Sequence, residues 1–475
     1  MWRGRNGLLG LLILCATAGA LQSAPSADSF DPLQARGQVI PNLACLEDPS
    51  QSYALYLPSN YSTQRSWPIL YVFDPSAQGA FPVKLYERVA ERYGTILAAS
   101  NNSRNGPQEP ALAAAQAVWS DSHRRLSIDK KRVYTMGLSG GARFATTFAL
   151  GCIACDIAGV VAQGAGFPAG MDQDPNPPFL YFAMVGNADF NLPEILELRR
   201  TLDQQGASFK IEVYNGRHEW APSEVFEDAV EWMELKAMQA GTRASDRELI
   251  RRLFEQTKAQ ASAAEKKGAA LDQYHALRSL EADFKGLEGI DTSDLGARVA
   301  ALKGSAALKE ARKEEQQETD RQRFMTQSAG RDLVRLGIAG PDERIRLGHQ
   351  IAPVLLRLYR KSASPGSDQA LYSRAFNQLW VLGLEQGEEA MREEHLPQAA
   401  AYFELMAKSV PDRPWPLLLL AKVRAKSGDK KGAIQALEEA VRHGLKDFSE
   451  DPNLQSLASE PAFRKILEGT RTANQ

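Results

Sequence analysis

Three residue types that together could transfer an acyl group occur in order along the first half of this 475-residue chain. Gly137–Leu138–Ser139–Gly140–Gly141 has the G-x-S-x-G spacing, in which a serine sits on a sharp turn between a strand and a helix. The segment before it, "RVYTMG", is apolar and β-like, and "ARFATTFAL" after it reads as a helix. Such a turn strains the serine backbone, and glycine neighbours avoid the steric collision. In return the hydroxyl stands near a helix N-terminus, whose dipole favours developing negative charge. A serine hydroxyl also needs a base near neutral pH. Of six histidines, His123 falls on a helix ahead of the serine's strand, and His275, His349, His395 and His443 fall in helical sequence. His218, in "KIEVYNGRHEW", follows the last β-like run and is the candidate base. Asp189, in "YFAMVGNADFNLPE", follows the preceding strand and is the candidate orienting acid, with Glu194 as the fallback. Asp189 would hold the tautomer of His218, and His218 would take the proton of Ser139 as it attacks a carbonyl.

These residues act together only if the fold brings them together. Between Gln38 and Tyr214, short β-like runs alternate with helical ones. "SYALYLP", "PILYVFDP", "TILAASNN", "RVYTMG", "AGVVAQ", "FLYFAMVG" and "FKIEVYN" read as strands. Several are continuously apolar, as in a parallel sheet covered on both faces. "VKLYERVAERYG", "PALAAAQAVWSDSHRRL" and "LPEILELRRTLDQQG" repeat apolar residues at helical spacing. The expected fold class is therefore an α/β, mostly parallel sheet with helices on both faces. Ser139, Asp189 and His218 would all lie beyond carboxyl ends of its strands, where such sheets form their sites.

After Trp232 the strand signals stop and helix formers dominate. "LKEARKEEQQETDRQRF" is a charge-dense, solvated helix face, and "SASPGSD" a loop. In the last hundred or so residues the sequence repeats with a period of about 34 residues. Ala399, Phe403 and Pro411, and then Ala433, Leu437 and Ala440, resemble the small, large apolar and proline positions of a tetratricopeptide repeat, with Gly428–Asp429 at the turn. The domain reading is a signal peptide at 1–24, an α/β domain at 37–240, a helical region at 241–370 and tetratricopeptide-like repeats at 371–470. An ordinary helical bundle is the alternative for the last two.

Residues from about Gly37 to Met238 resemble an α/β-hydrolase of the esterase/polyhydroxybutyrate-depolymerase-like group. The stretches that carry the resemblance are "YALYLPSNY", "WPILYVFDPSAQG", "GLSGGARFA", "GNADFN" and "GRHEW". It implies ester cleavage through an acyl-enzyme on Ser139, with His218 as general base, Asp189 as acid and no cofactor or metal. The oxyanion hole departs from the family's pattern. Where the family commonly carries His-Gly, this chain has Asp74–Pro75, and proline has no N–H to donate. The expected donors are the backbone N–H groups of Gly140 and of Ser76 or Ala77. In "SNNSRNGP", Asn102, Arg104 and Asn105 could bind a substrate carbonyl or carboxylate, or could cap a helix and satisfy the loop. Trp220 either walls the site or joins the core. Short insertions between Ala158 and His218 predict an open site without a large lid.

"MWRGRNGLLGLLILCATAGA" has the basic start, apolar run and small residues of a secretory signal, so the expected location is periplasmic or secreted, with no stable membrane span. Leu14 before Cys15 argues against a lipid anchor there. Export permits a disulfide, and a bridge from Cys45 to Cys152 or Cys155 is expected, with free thiols as the alternative. The net charge of −2 does not point to nucleic acid as a partner. The expected partners are a small or polymeric ester and a protein bound through the helical repeats. Two functions compete: an exported serine hydrolase, and a non-catalytic interaction protein that retains the fold. Peptide hydrolysis is a third possibility.

Overall fold

In the computed structural model, which describes residues 30–168, 170 and 177–472, eight strands form one sheet. They are β1 (Val39–Ala44), β2 (Ser52–Tyr56), β3 (Trp67–Phe73), β4 (Ile96–Ser100), β5 (Ile128–Leu138), β6 (Gly159–Gln163), β7 (Leu180–Gly186) and β8 (Phe209–Tyr214). Their order is β1-β2-β4-β3-β5-β6-β7-β8. β2 is antiparallel to both β1 and β4, and every pair from β4 through β8 is parallel. This is the mostly parallel α/β sheet expected from the strand pattern. β1 is the strand missing from the sequence pattern. It carries Pro41 and Asn42, and its register slips between Ile40 and Leu43, so only pairing with β2 makes it a strand.

The continuous apolar runs are explained by two cores. Tyr53, Leu55, Ile69, Tyr71 and Phe73 face one cluster, while Ala54, Tyr56, Leu70 and Val72, alternating with them, face the other. The short α1 (Pro32–Ala35) precedes β1, and the first core is closed by α3 (Gln108–Arg125), α4 (Gly140–Gly151) and α5 (Leu192–Gln205). The second is closed by α2 (Ala80–Tyr93) and α6 (Ser223–Gln239). With both faces covered, neither strand face needs polar residues, so period-two alternation is absent.

Helices continue beyond the sheet. Leu249, Ile250 and Ala261 pack with Leu277, Leu280 and Phe284. They lie on helices Arg247–Lys267 and Ala270–Phe284. The chain divides into two compact units, residues 1–319 and 320–475, inside the helix Ala306–Ile338. In the second unit, Leu333, Leu336, Leu355, Leu379, Tyr402 and Met406 belong to one core. Ala399, Phe403, Ala433, Leu437 and Ala440 are all completely buried on helices Leu396–Ser409 and Lys430–Arg442. No helix among the described residues is long and apolar enough to cross a membrane. The signal segment and Cys15 lie outside the described residues.

The cysteine expectation is corrected. Cys152 bonds to Cys155 across the 3-10 turn Ile153–Cys155, and Cys45 is a free, buried thiol. The short turn leaves the two Cα atoms 5.3 Å apart, within disulfide reach. Cys45 instead follows β1 and packs into the core among strand and helix residues.

Candidate active site

Ser139 closes β5 and stands before α4 with φ 56° and ψ −122°, a conformation costly for any residue but glycine. Its backbone N–H donates to the Gln163 carbonyl at the end of β6 (2.8 Å), so the turn is tied to the neighbouring strand. The loop after β7 carries Asp189, and the loop after β8 carries His218. His218 Nδ1 lies 2.9 Å from both carboxylate oxygens of Asp189. A carboxylate only accepts, so the ring proton is held on Nδ1 and Nε2 is left as an acceptor. Phe190 packs against the imidazole at 4.3 Å between ring centroids.

Gly164, the residue after Gln163, links the serine turn to this pair. It has φ +61°, and a Cβ there would lie 2.8 Å from Asp189 Oδ2 and 3.1 Å from His218 Nδ1. The imidazole and carboxylate therefore lean on bare backbone one residue from the carbonyl that holds Ser139. Ser139 Oγ and His218 Nε2 are both buried and have no hydrogen-bond partner in the protein. Ser139 is 0% exposed, which corrects the expectation of an open site. Short connections do not by themselves keep a strand end open when neighbouring loops pack across it.

The remaining candidates divide differently from the sequence reading. Glu194 does not approach the histidine: Arg143 donates to both its oxygens (2.8 and 2.7 Å), and it accepts the Gly166 N–H at 2.9 Å. Ser76 is also corrected as an oxyanion donor, because its N–H donates to Asp74 Oδ1 at 2.8 Å. Gln78 N–H donates to the same oxygen at 3.0 Å, and Ala77 N–H to the Asp74 carbonyl at 3.3 Å. A short aspartate side chain reaches the backbone two residues ahead, which competes with any substrate for those donors. Gly140, at the start of α4, is the expected donor that remains.

Asn102 is corrected from substrate contact to loop support. It accepts the Ser52 N–H (2.9 Å) and donates to the Ser50 carbonyl (3.2 Å). Arg104 is exposed and pairs through its backbone with Ser76. Trp220 takes the core role: it is buried, its ring meets Tyr86 edge-on, and its indole N–H donates to Asp74 Oδ2 at 3.0 Å. Asp74 thus joins the loop after β3 to the histidine loop.

Gln163 was not among the sequence candidates. It is 1% exposed, and its Oε1 accepts the Ala221 N–H (2.9 Å) and the Tyr86 hydroxyl (3.2 Å). Its backbone holds the serine turn while its side chain holds the histidine loop. The available signal was a polar residue ending the apolar run "AGVVAQ". His123, half-buried, stacks on Trp119 at 4.1 Å, and burial lowers its pKa.

No protein-family model matches this chain, and a comparison with curated proteins finds no match. Among solved structures it is similar to an S-formylglutathione hydrolase from Staphylococcus aureus, at 17% identity over 38% of this chain and 90% of that one, with a TM-score of 0.33. It is also similar to an esterase from Pyrobaculum calidifontis, at 12% identity over 42% of this chain and 85% of that one, with a TM-score of 0.34.

Proposed function

We propose that this chain is an exported serine hydrolase that cleaves carboxylic esters. Ser139 Oγ attacks the acyl carbon as His218 Nε2 takes its proton, and Asp189 stabilises the imidazolium formed. The imidazolium then protonates the departing alcohol. Water, activated by the same Nε2, releases the acid from Ser139. The Gly140 N–H stabilises the oxyanion in both halves. These steps use side chains, a backbone N–H and water.

One observation carries the proposal. Asp189 fixes one nitrogen of His218, while Nε2 and the hydroxyl of Ser139, which do not bond to each other, remain buried without partners in the protein. An unsatisfied buried polar atom costs about 1–3 kcal/mol, a cost that a functional requirement can offset. Proton transfer from serine to imidazole is such a requirement. The helical region would recruit a protein partner or steer access.

The complete burial of Ser139, with the captured N–H groups after β3, favours a second reading in which the fold is retained without catalysis. A fluorophosphonate probe separates the two. The hydrolase reading expects covalent labelling of the wild-type chain and none of Ser139→Ala. An unlabelled wild type, or equal labelling of both, refutes it.

A further inference from the structure

The loop after β3 turns its donors inward. Pro75 has no N–H, Ser76 and Gln78 donate to the Asp74 carboxylate, and Ala77 donates to the Asp74 carbonyl. An acyl-transfer site on Ser139 therefore draws its second oxyanion donor from elsewhere. The residue in position is Asn105. Its backbone N–H donates to the Pro75 carbonyl at 2.9 Å, and Arg104 beside it bridges to Ser76. The loop after β4 is thus fastened to the loop after β3.

The side-chain amide of Asn105 lies against Gly140, the residue next to the nucleophile. A Cβ on Gly140 would stand 2.1 Å from Asn105 Oδ1 and 3.2 Å from Nδ2. Gly140 does not have positive φ, so what its missing side chain leaves here is space, and a Cβ would force the Asn105 amide to shift. What occupies that space is a primary amide, which carries two N–H donors and no charge. A half-turn about its Cβ–Cγ bond exchanges oxygen and nitrogen at nearly the same positions.

We infer that the side-chain amide of Asn105 is the second oxyanion donor, replacing the backbone N–H that the loop after β3 withholds. This rests on the ester-hydrolase reading above. As the Ser139 Oγ–carbon bond forms, the carbonyl π pair moves onto oxygen, and His218 takes the hydroxyl proton. The new charge is met by Gly140 N–H and Asn105 Nδ2–H. A neutral donor suits a largely enclosed site, because it brings no charge that would have to be desolvated.

The test uses the full-length chain with a matched pair of substrates, an oxo-ester and its thiono-ester, whose C=S accepts hydrogen bonds poorly. Asn105→Ala and Asn105→Asp are each expected to lower kcat on the oxo-ester by about a hundred- to a thousandfold, with a much smaller change in KM. The oxo-to-thiono rate ratio should fall at least tenfold, as expected if the lost contact is a hydrogen bond to the developing oxyanion. Partial unfolding cancels from that ratio, because both rates come from the same folded fraction. If the wild type labels and turns over while either variant stays within threefold of it, or loses both substrates equally, Asn105 is not the donor. A wild type that neither labels with fluorophosphonate nor turns over esters overturns the ester-hydrolase reading as well.

Discussion

Replacing Gly164 by alanine should damage the candidate site without replacing any residue assigned to the chemistry. Two costs follow from the structure. At φ +61° an L-residue adopts a left-handed backbone, which costs roughly 1–2 kcal/mol. The new Cβ would also stand 2.8 Å from Asp189 Oδ2, inside the distance that real Cβ contacts reach, so the carboxylate has to move. That movement strains its 2.9 Å bond to His218. Losing a hydrogen bond to a charged group costs about 1.5–3 kcal/mol, so the total is about 2.5–5 kcal/mol. Misplacing the imidazole is expected to lower kcat about a hundredfold. Gly206→Ala is the control, since Gly206 has φ +70° with nothing within 4 Å of its would-be Cβ. Urea unfolding should show only the backbone cost for the control, with activity unchanged, and the larger loss in both readouts for Gly164→Ala. Equal stability of the two variants, or undiminished turnover by Gly164→Ala, would refute the reasoning.

One further prediction concerns the support of the site, and another the buried thiol of Cys45. Asp74→Ala should cost about 2–4 kcal/mol, because it leaves the buried indole N–H of Trp220 and the N–H groups of Ser76 and Gln78 without their acceptor. A double-mutant cycle with Trp220→Phe, followed by urea unfolding, should give a coupling of about 1.5–3 kcal/mol; additivity within about 0.5 kcal/mol argues against the strut. The Cys45 thiol, pushed up to about 12 by burial and then by Asp121, should resist iodoacetamide at pH 8 in the folded chain. Mapping should find Cys45 alkylated only after unfolding, and Cys152 and Cys155 only after reduction; modification of native Cys45 at a free-thiol rate contradicts this. The folded state keeps a proton that the unfolded chain releases near pH 9.0. Its stabilising contribution is therefore complete below that pH and is lost as pH rises toward about 12.

Much of the sheet was legible because a strand covered on both faces must be apolar throughout, a constraint that survives in any one-dimensional reading. β1 was not, since an edge strand with Pro41 is held by its partner and not by its own composition. Within the site, G-x-S-x-G and the order of Ser139, Asp189 and His218 could be read because each element ends at a polar residue in a loop. Ser76, Asn102 and Trp220 could not be assigned, since each spends its polar group on a partner distant in sequence or on a side chain two residues away. Whether a loop N–H faces a substrate or Asp74 depends on the loop's backbone dihedral angles, which residue type does not encode.

By itself, the sequence determined the alternation of strands and helices, the serine turn and the loop addresses of the acid and base, because periodicity and glycine placement are local constraints. Only the tertiary structure decided that Nδ1 of His218 meets both oxygens of Asp189 over Gly164, that Gln163 joins the two loops, that Cys152 pairs with Cys155, and that the Asn105 amide lies on Gly140. Those contacts join residues from different strand ends, and their distances are set by strand order and register, which no single segment contains.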